Sequence, residues 1–222
     1  NVFDSEEVGI IVSSGGCPSI LHNVFSNSNV GIRIIGEHAA PDVKRNFING
    51  NSVGVDCRSE SAGVIAENSF LANTNCGLSC SFSANPQVVA NVFEDHRTTK
   101  KAHAISISNK GCGFFTENSI IHNNDAVIID GSSGAEFSGN FVMRNDGYGI
   151  VVSDGGGGSF KTNIFNFNQL GDILCCGHVK DVVVEVSPPS PSVTSPPAAC
   201  STMSSKAPAA SASNRRSGQT PK

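Results

Sequence analysis

The sequence predicts an all-β fold, a single-stranded parallel β-helix of about eight coils with 22–23 residues in most coils. Three observations predict it: an Asn that recurs at a nearly fixed spacing, short stretches of alternating apolar residues, and a composition rich in turn-forming residues. Of the 222 residues, 23 are Gly and only 38% are hydrophobic, which argues against a helical bundle or a doubly wound α/β fold. Eight coils stacked about 4.8 Å apart would make a rod roughly 40 Å long.

An Asn followed two residues later by a large apolar residue marks the start of each repeat. Counted from Asn1, these Asn are 22, 23, 22, 23, 27, 22 and 23 residues apart. In stacked coils they would lie above one another, so that each side-chain amide donates to one neighbour and accepts from the other. We therefore expect an internal hydrogen-bonded ladder formed by Asn23, Asn46, Asn68, Asn91, Asn118, Asn140 and Asn163.

Each repeat contains three short apolar stretches, which Gly, Asn, Asp and Ser separate and which are too brief for helices. A leucine-rich repeat would need more Leu and a β-propeller about twice the period, so neither alternative fits. The best-defined stretch is a small residue followed by an apolar, a variable and an apolar residue. Its variable position is predicted to face outward and forms the column Ile11, Arg33, Asp56, Ser79, Ser106, Ile128, Val151 and Leu174.

The turns between the stretches are of two kinds. Some contain Pro, as in residues 15–20 (GGCPSI) and 84–88 (ANPQV), and others contain Gly and a following Glu-Asn, as in residues 111–118 (GCGFFTEN). This pattern resembles the right-handed parallel β-helix repeats of the pectin-lyase-like superfamily, over residues 1 to about 177. It most closely resembles the β-helix of F-box proteins with carbohydrate-binding-and-sugar-hydrolysis-type repeats. That resemblance implies a substrate-recognition module of a ubiquitin ligase or a cytoplasmic scaffold.

The C-terminal part of the chain differs from the repeats. Residues 178–186 are predicted to form a final strand that caps the stack of coils, since an open end would expose core and strand edges. Residues 187–222 are rich in Ser, Pro and Ala and carry four bases and no acid, so we expect a disordered basic tail. The chain begins at Asn1 rather than Met, so further coils or a cap are expected before it.

The charge and the apolar pattern exclude several classes of partner. The net charge of −4 leaves about −8 for the residues before the tail, and such an acidic surface argues against nucleic-acid binding. No apolar run approaches the length of a membrane span. Several of the eight Cys occupy positions that hold Val or Ile in other repeats, which is typical of reduced thiols and favours an intracellular, cytoplasmic location.

The outward column gives no signature of catalysis. It holds one carboxylate and one base, Asp56 and Arg33, which are stacked neighbours expected to neutralise each other. It shows neither paired carboxylates for glycoside chemistry nor an Asp-x-Asp cluster for calcium. The sequence therefore predicts no catalytic residue, no metal and no cofactor.

The 27-residue repeat carries the first candidate binding site. Residues 94–103 (EDHRTTKKAH) are the one dense group of titratable side chains, and insertions on repeat scaffolds often lie on a working face. One interpretation is a contact loop, or the remnant of a catalytic groove, that presents His96, Arg97, Lys100 and Lys101 to an acidic ligand, and the other is a solvated loop. His96 and His103 lack a third suitably spaced ligand, so a metal site is not expected.

The second candidate is apolar. Ile128, Val151 and Leu174 occupy consecutive outward positions, and such a row of aliphatic side chains is covered either by the final strand or by another protein. Our first hypothesis is therefore a non-enzymatic protein-interaction or substrate-recognition module. The alternative is a carbohydrate-active β-helix, against which stand the single Tyr and the absence of Trp for stacking sugars.

Overall fold

The computed structural model describes residues 1–185, in which the regular structure consists of 24 short strands arranged in three parallel sheets. The chain passes through the first, second and third sheet in turn and then begins the next coil, so each sheet receives every third strand. Each sheet has eight strands, and the prediction of an all-β stack of about eight coils is confirmed.

The first sheet follows the ladder Asn of each coil and consists of three-residue strands. Its members are β1 (Val2–Asp4), β4 (Val24–Ser26), β7 (Phe47–Asn49), β10 (Ser69–Leu71), β13 (Val92–Glu94), β16 (Ser119–Ile121), β19 (Phe141–Met143) and β22 (Ile164–Asn166).

The second sheet has the longest strands, of five or six residues. Its members are β2 (Val8–Val12), β5 (Val30–Ile35), β8 (Val53–Arg58), β11 (Cys76–Ser81), β14 (His103–Ser108), β17 (Asp125–Ile129), β20 (Tyr148–Val152) and β23 (Gly171–Cys175).

The third sheet precedes each ladder Asn. Its members are β3 (Ser19–Leu21), β6 (Asp42–Lys44), β9 (Val64–Ala66), β12 (Gln87–Val89), β15 (Phe114–Thr116), β18 (Gly134–Ser138), β21 (Gly157–Lys161) and β24 (Val182–Glu185).

Equivalent residues of successive coils pair directly, which places like side chains above one another. In the first sheet the central residues of β10 and β13, Phe70 and Phe93, are paired, and their rings stack with centroids 4.5 Å apart. In the third sheet Phe115 and Phe137 stack in the same way at 4.4 Å. Offset ring stacking adds to the burial of apolar area, so these columns form a continuous core.

The turns between sheets use left-handed backbone at non-glycine residues. Between the third and first sheets the residue before each ladder Asn has a positive φ, as in Arg45 (55°) before Asn46 and Glu67 (55°) before Asn68. Left-handed conformation costs about 1–2 kcal/mol for an L-residue, so something at the turn must offset it. The hydrogen bonds of the following Asn, described below, supply that compensation.

The final strand does not lie where the sequence predicts a cover for the apolar row. β24 pairs in parallel with β21, with Val184 opposite Phe160, and so forms the eighth strand of the third sheet. Ile128, Val151 and Leu174 belong to the second sheet, so β24 leaves them uncovered. Of the two alternatives for the row, cover by the final strand is therefore wrong, because the chain continues its regular winding. Residue 186 and the predicted disordered tail, 187–222, lie outside the described residues.

Within residues 1–185, no helix has the length and apolar character needed to span a membrane.

Candidate functional site

The predicted Asn ladder is present and lies inside the coils. Asn68 is representative: its Oδ1 accepts from both the backbone N–H (2.9 Å) and the side chain (3.0 Å) of Asn46. Its Nδ2 donates to the Val43 carbonyl at 2.9 Å and to Asn91 Oδ1 at 3.0 Å. Each amide thus satisfies buried groups of the coils on both sides, which gives these Asn a structural role.

A second ladder runs beside the first and was not predicted. It lies between the first and second sheets, five residues after each member of the first ladder from Asn23 onward. The sequence carries the signal, because Asn recurs at this offset in five repeats. The buried or partly buried members are Ser28, Asn51, Asn73, His96, Asn123, Asn145 and Asn168.

His96 is a member of this second ladder and is fully buried, with 0% of its surface exposed. Its Nε2 lies 3.1 Å from Asn73 Nδ2, and its Nδ1 lies 2.9 Å from Asn123 Oδ1. Since the Asn73 amide is the donor and the Asn123 oxygen the acceptor, the ring must be neutral with its proton on Nδ1. Burial lowers the pKa of His96 to about 4. The expectation that His96 is presented to a ligand is therefore wrong.

The extra residues of the 27-residue repeat form a loop, residues 97–102, which we call the inserted loop. Arg97 forms ion pairs with Asp95 at 2.9 Å and with Asp146 at 3.5 Å. Thr99 donates through its hydroxyl to the Thr74 carbonyl at 3.3 Å, and the Asn124 amide donates to the Thr99 carbonyl. The loop is thus fastened to neighbouring coils, and Arg97 serves that attachment rather than facing solvent unpaired.

A groove of about 430 Å³ lies between the inserted loop and the outer face of the second sheet. Its floor comes from β8, β11 and β14, and the loop supplies two lysines at its edge. The side chains that determine its chemistry are Asp56, Arg58, Ser79, Lys100, Lys101 and His103.

The charge of the groove is positive in a body that is acidic overall. Asp56, only 1% exposed, accepts from Arg33 at 3.0 Å and from Arg58 at 2.8 Å, so it is more than neutralised. Lys100 and Lys101 are exposed and form no ion pair with any residue of the described range 1–185. Two cationic side chains therefore remain available at the groove. The predicted pairing of Arg33 with Asp56 is confirmed, and Arg58 is an addition that the sequence analysis missed.

His103 also lines the groove and is only partly buried. Burial lowers its pKa, while the carboxylates of Asp125 and Asp130 act in the opposite direction. Its Nδ1 is buried and has no hydrogen-bond partner among residues 1–185. His103 is thus a mainly neutral side chain at neutral pH, with a free hydrogen-bonding position.

The apolar row Ile128, Val151 and Leu174, which we call the aliphatic stripe, continues the same outer face. The in-register pairs Ser79–Ser106, Ser106–Ile128, Ile128–Val151 and Val151–Leu174 place groove and stripe in one column. All three aliphatic side chains are partly exposed. The predicted outward column is therefore confirmed, and it changes from polar to aliphatic between Ser106 and Ile128.

The arrangement provides cationic side chains, hydrogen-bond donors and an apolar surface along one face. No group of three or more His, Cys, Asp or Glu side chains in the described part of the chain is arranged to hold a metal ion. The one carboxylate in the central column, Asp56, is engaged by two arginines. The face therefore presents cationic, hydrogen-bonding and aliphatic side chains side by side.

Comparison with known families supports the architecture. A family model described as "Right handed beta helix region" matches residues 1–111 and residues 91–185. Searches of curated proteins and of solved structures found no match. The two family matches together span the whole described solenoid and most of the chain, so the protein belongs to the right-handed β-helix family.

Proposed function

We propose that the chain is a protein-interaction module that binds its partner on the outer face of the second sheet. The observation that carries the proposal is the groove beneath the inserted loop, where Lys100 and Lys101 form no ion pair with any of residues 1–185 and lie on the same face as the aliphatic stripe. The resemblance of the turns to F-box β-helices supports the narrower form of the proposal, a substrate-recognition or scaffold module in the cytoplasm.

The charge distribution favours binding at this face over other faces. The body carries about −8, so an anionic partner is repelled by most of the surface and attracted to the groove. Charge-assisted hydrogen bonds from lysine to a carboxylate are about twice as strong as neutral ones. Electrostatic contrast of this kind steers the partner to one site and fixes its register.

The groove is also held in shape before any partner arrives. The Arg97 ion pairs and the bonds of Thr99 to neighbouring coils fix the loop, and the strands below are locked in register. A site that needs little ordering on binding loses less conformational entropy. The rigid solenoid thus favours recognition by shape and charge.

Selection of peptides from a random display library on the immobilised full chain tests the proposal. We expect enriched sequences to bind the wild type and to lose binding to a Lys100→Ala, Lys101→Ala double variant. A Lys44→Ala, Lys161→Ala variant is the matched control, since it removes two cations from the third sheet. Equal binding to both double variants, or no enrichment at all, would show that this face is not the site.

The same proteins separate the proposal from the alternative carbohydrate-active role. Incubation of the full chain with polyuronides in the presence of calcium should yield no unsaturated or reducing sugar products. Robust turnover would replace the interaction module with an enzyme. Binding without turnover that survives the Lys100→Ala, Lys101→Ala change would place a carbohydrate site elsewhere.

A further inference from the structure

Groove and stripe lie on one straight column, and this geometry specifies the ligand more closely. Ser79 lies at the centre of the groove floor and Val151 at the centre of the aliphatic stripe, three strands further along the sheet. Strands in a sheet are about 4.8 Å apart, so the two centres are separated by about 14 Å. An extended peptide advances about 3.4 Å per residue, so about four residues cover that distance.

We infer, on the basis of the proposed function, that the ligand is an extended peptide in which an acidic residue and an aliphatic residue stand about four positions apart. The acidic side chain enters the groove at Lys100 and Lys101, and the aliphatic side chain packs on Ile128, Val151 and Leu174. Side chains of an extended chain alternate in direction, so an even separation brings both to the same face.

The residues at the boundary between groove and stripe favour binding of the acidic residue in the groove rather than on the stripe. β17 begins with Asp125 and is followed by Asp130, so Ile128 lies between two acidic residues along the chain. Asp130 already has a raised pKa, because burial and the nearby Asp154 disfavour its charged form. An acidic ligand residue placed here would be repelled, whereas at the centre of the groove, two strands earlier in the sheet, it meets Lys100 and Lys101. The column therefore discriminates between the two possible placements of the acid.

The stripe favours a peptide over an anionic polysaccharide as the occupant. A polyuronide could pair with the lysines, but its hydroxyl-rich rings would lose hydrogen bonds to water on three aliphatic side chains. A Leu or Val side chain instead removes apolar surface from water at the stripe. Charge in the groove and aliphatic contact beyond it thus point to a single extended peptide.

The test uses synthetic fluorescent peptides and the full chain. Each peptide carries one Glu-Glu pair and one Leu-Val pair in an Ala/Ser background, with the first residues of the two pairs two, four, six or eight positions apart. We expect the tightest binding at four, with affinity about tenfold above that at eight, and weaker binding at higher salt. Circular dichroism and thermal melts of every variant confirm that the fold is kept.

Two variants divide the site. Lys100→Gln with Lys101→Gln should weaken the peptide of optimal spacing about tenfold and remove most of its salt dependence. Ile128→Ser with Val151→Ser should weaken that peptide while leaving a peptide with Glu but no Leu or Val unchanged. The Lys44→Ala, Lys161→Ala variant should match the wild type for all peptides.

The outcomes separate this inference from the proposed function. If library-selected peptides depend on Lys100 and Lys101 but the synthetic series shows no preference for spacing, the interaction module stands and the inference is wrong. If no peptide depends on these lysines, both fail. A trigalacturonate that binds this face more tightly than the best peptide would replace the peptide with a polysaccharide.

Discussion

The two side-chain ladders run through the same coils, yet one is uniform and the other is interrupted. The first consists of Asn at each rung from Asn1 to Asn163. The second begins with Ser28 and contains His96 in the coil with the inserted loop. The residue before His96, Asp95, keeps the left-handed backbone (φ 60°) found before the other members. The position therefore requires one donor, one acceptor and this turn, rather than Asn itself.

The difference makes one coil sensitive to pH. An Asn amide keeps its donor and acceptor at any pH, whereas His96 can serve the ladder only as the neutral ring. A protonated ring would present a hydrogen to the Asn73 amide, which is itself the donor. The inserted loop begins at the next residue, so the ionisable rung lies at the base of the groove-forming segment.

The largest expected effect is the loss of an interior rung from either ladder. Asn68→Ala removes the partners of the Asn46 N–H and the Val43 carbonyl, and Asn73→Ala does the same to the Asn51 N–H and the Ile48 carbonyl. At about 1–3 kcal/mol for each unsatisfied group, either change should lower the free energy of unfolding by roughly 4 kcal/mol.

Urea denaturation of the two variants checks this, with Asn163→Ala as the control. Asn163 is the last rung of its ladder within residues 1–185 and, at 8%, its most exposed member after Asn1, so water can replace part of its bonds and the cost should be about 1 kcal/mol. Equal losses for Asn68 and Asn163, or a loss below about 1 kcal/mol at Asn68 or Asn73, would contradict a dominant role for the ladders.

The second effect is the pH dependence that His96 introduces. A base whose pKa is lowered on folding binds fewer protons in the folded than in the unfolded chain between the two pKa values. The free energy of unfolding should therefore fall as the pH drops from 6.5 towards 4. At about 1.4 kcal/mol per pKa unit the loss is about 3 kcal/mol.

His96→Asn isolates this contribution from that of the carboxylates. The variant restores a uniform ladder, so its difference in unfolding free energy from the wild type should grow by about 3 kcal/mol between pH 6.5 and 4. Chemical denaturation at a series of pH values gives that difference. Parallel pH curves for the two proteins would contradict the assignment of a neutral His96.

A smaller effect is expected when the interrupted ladder is made regular at its beginning. Asn51 Oδ1 accepts from the backbone N–H of Ser28 but receives no side-chain donor from it. Ser28→Asn should supply that donor and raise the free energy of unfolding by about 1 kcal/mol. Ser28→Ala is the control and should lower it, because the Glu6 N–H then loses its partner. If Ser28→Asn lowers the free energy of unfolding, the turn at residue 28 cannot accommodate an Asn side chain.

The smallest effect on stability is expected from removing the Arg97 ion pairs that attach the inserted loop. Arg97→Ala removes half-exposed ion pairs with Asp95 and Asp146, which are worth about 0–1 kcal/mol. Proteolysis within residues 97–102 should nevertheless become faster, because the loop loses its attachment. Arg45→Ala, which removes a somewhat more exposed ion pair with Glu67 away from the loop, should leave the cleavage rate unchanged.

The repeat predicts the core and the first ladder because each coil repeats the same local chemistry. The outward column was correct at every rung, since side chains alternate and the strands are in register. The second ladder was missed because Ser28 and His96 replace the Asn that the other five repeats carry at this position. Position in the repeat, rather than residue type, is what places His96 in the interior.

The groove and the end of the chain depend on paths that the period does not determine. Insertions follow no periodic rule, so the contacts of Arg97 with Asp146 and the position of the lysines over β8 and β11 could not be read from spacing. β24 pairs with β21 because the chain continues its regular winding. The sequence-based expectation was instead that the final strand covers exposed apolar side chains. Local patterns thus predict repeated contacts better than unique ones.

The additional residues of the 27-residue repeat leave the strands around them in phase. Cys76 still pairs with His103, and Val92 with Ser119, on either side of the excursion. Length can therefore change at this point without displacing a single rung. A short foreign peptide inserted between residues 97 and 102 would therefore be displayed at one defined coil of the solenoid, so this loop is a suitable position for presenting short epitopes.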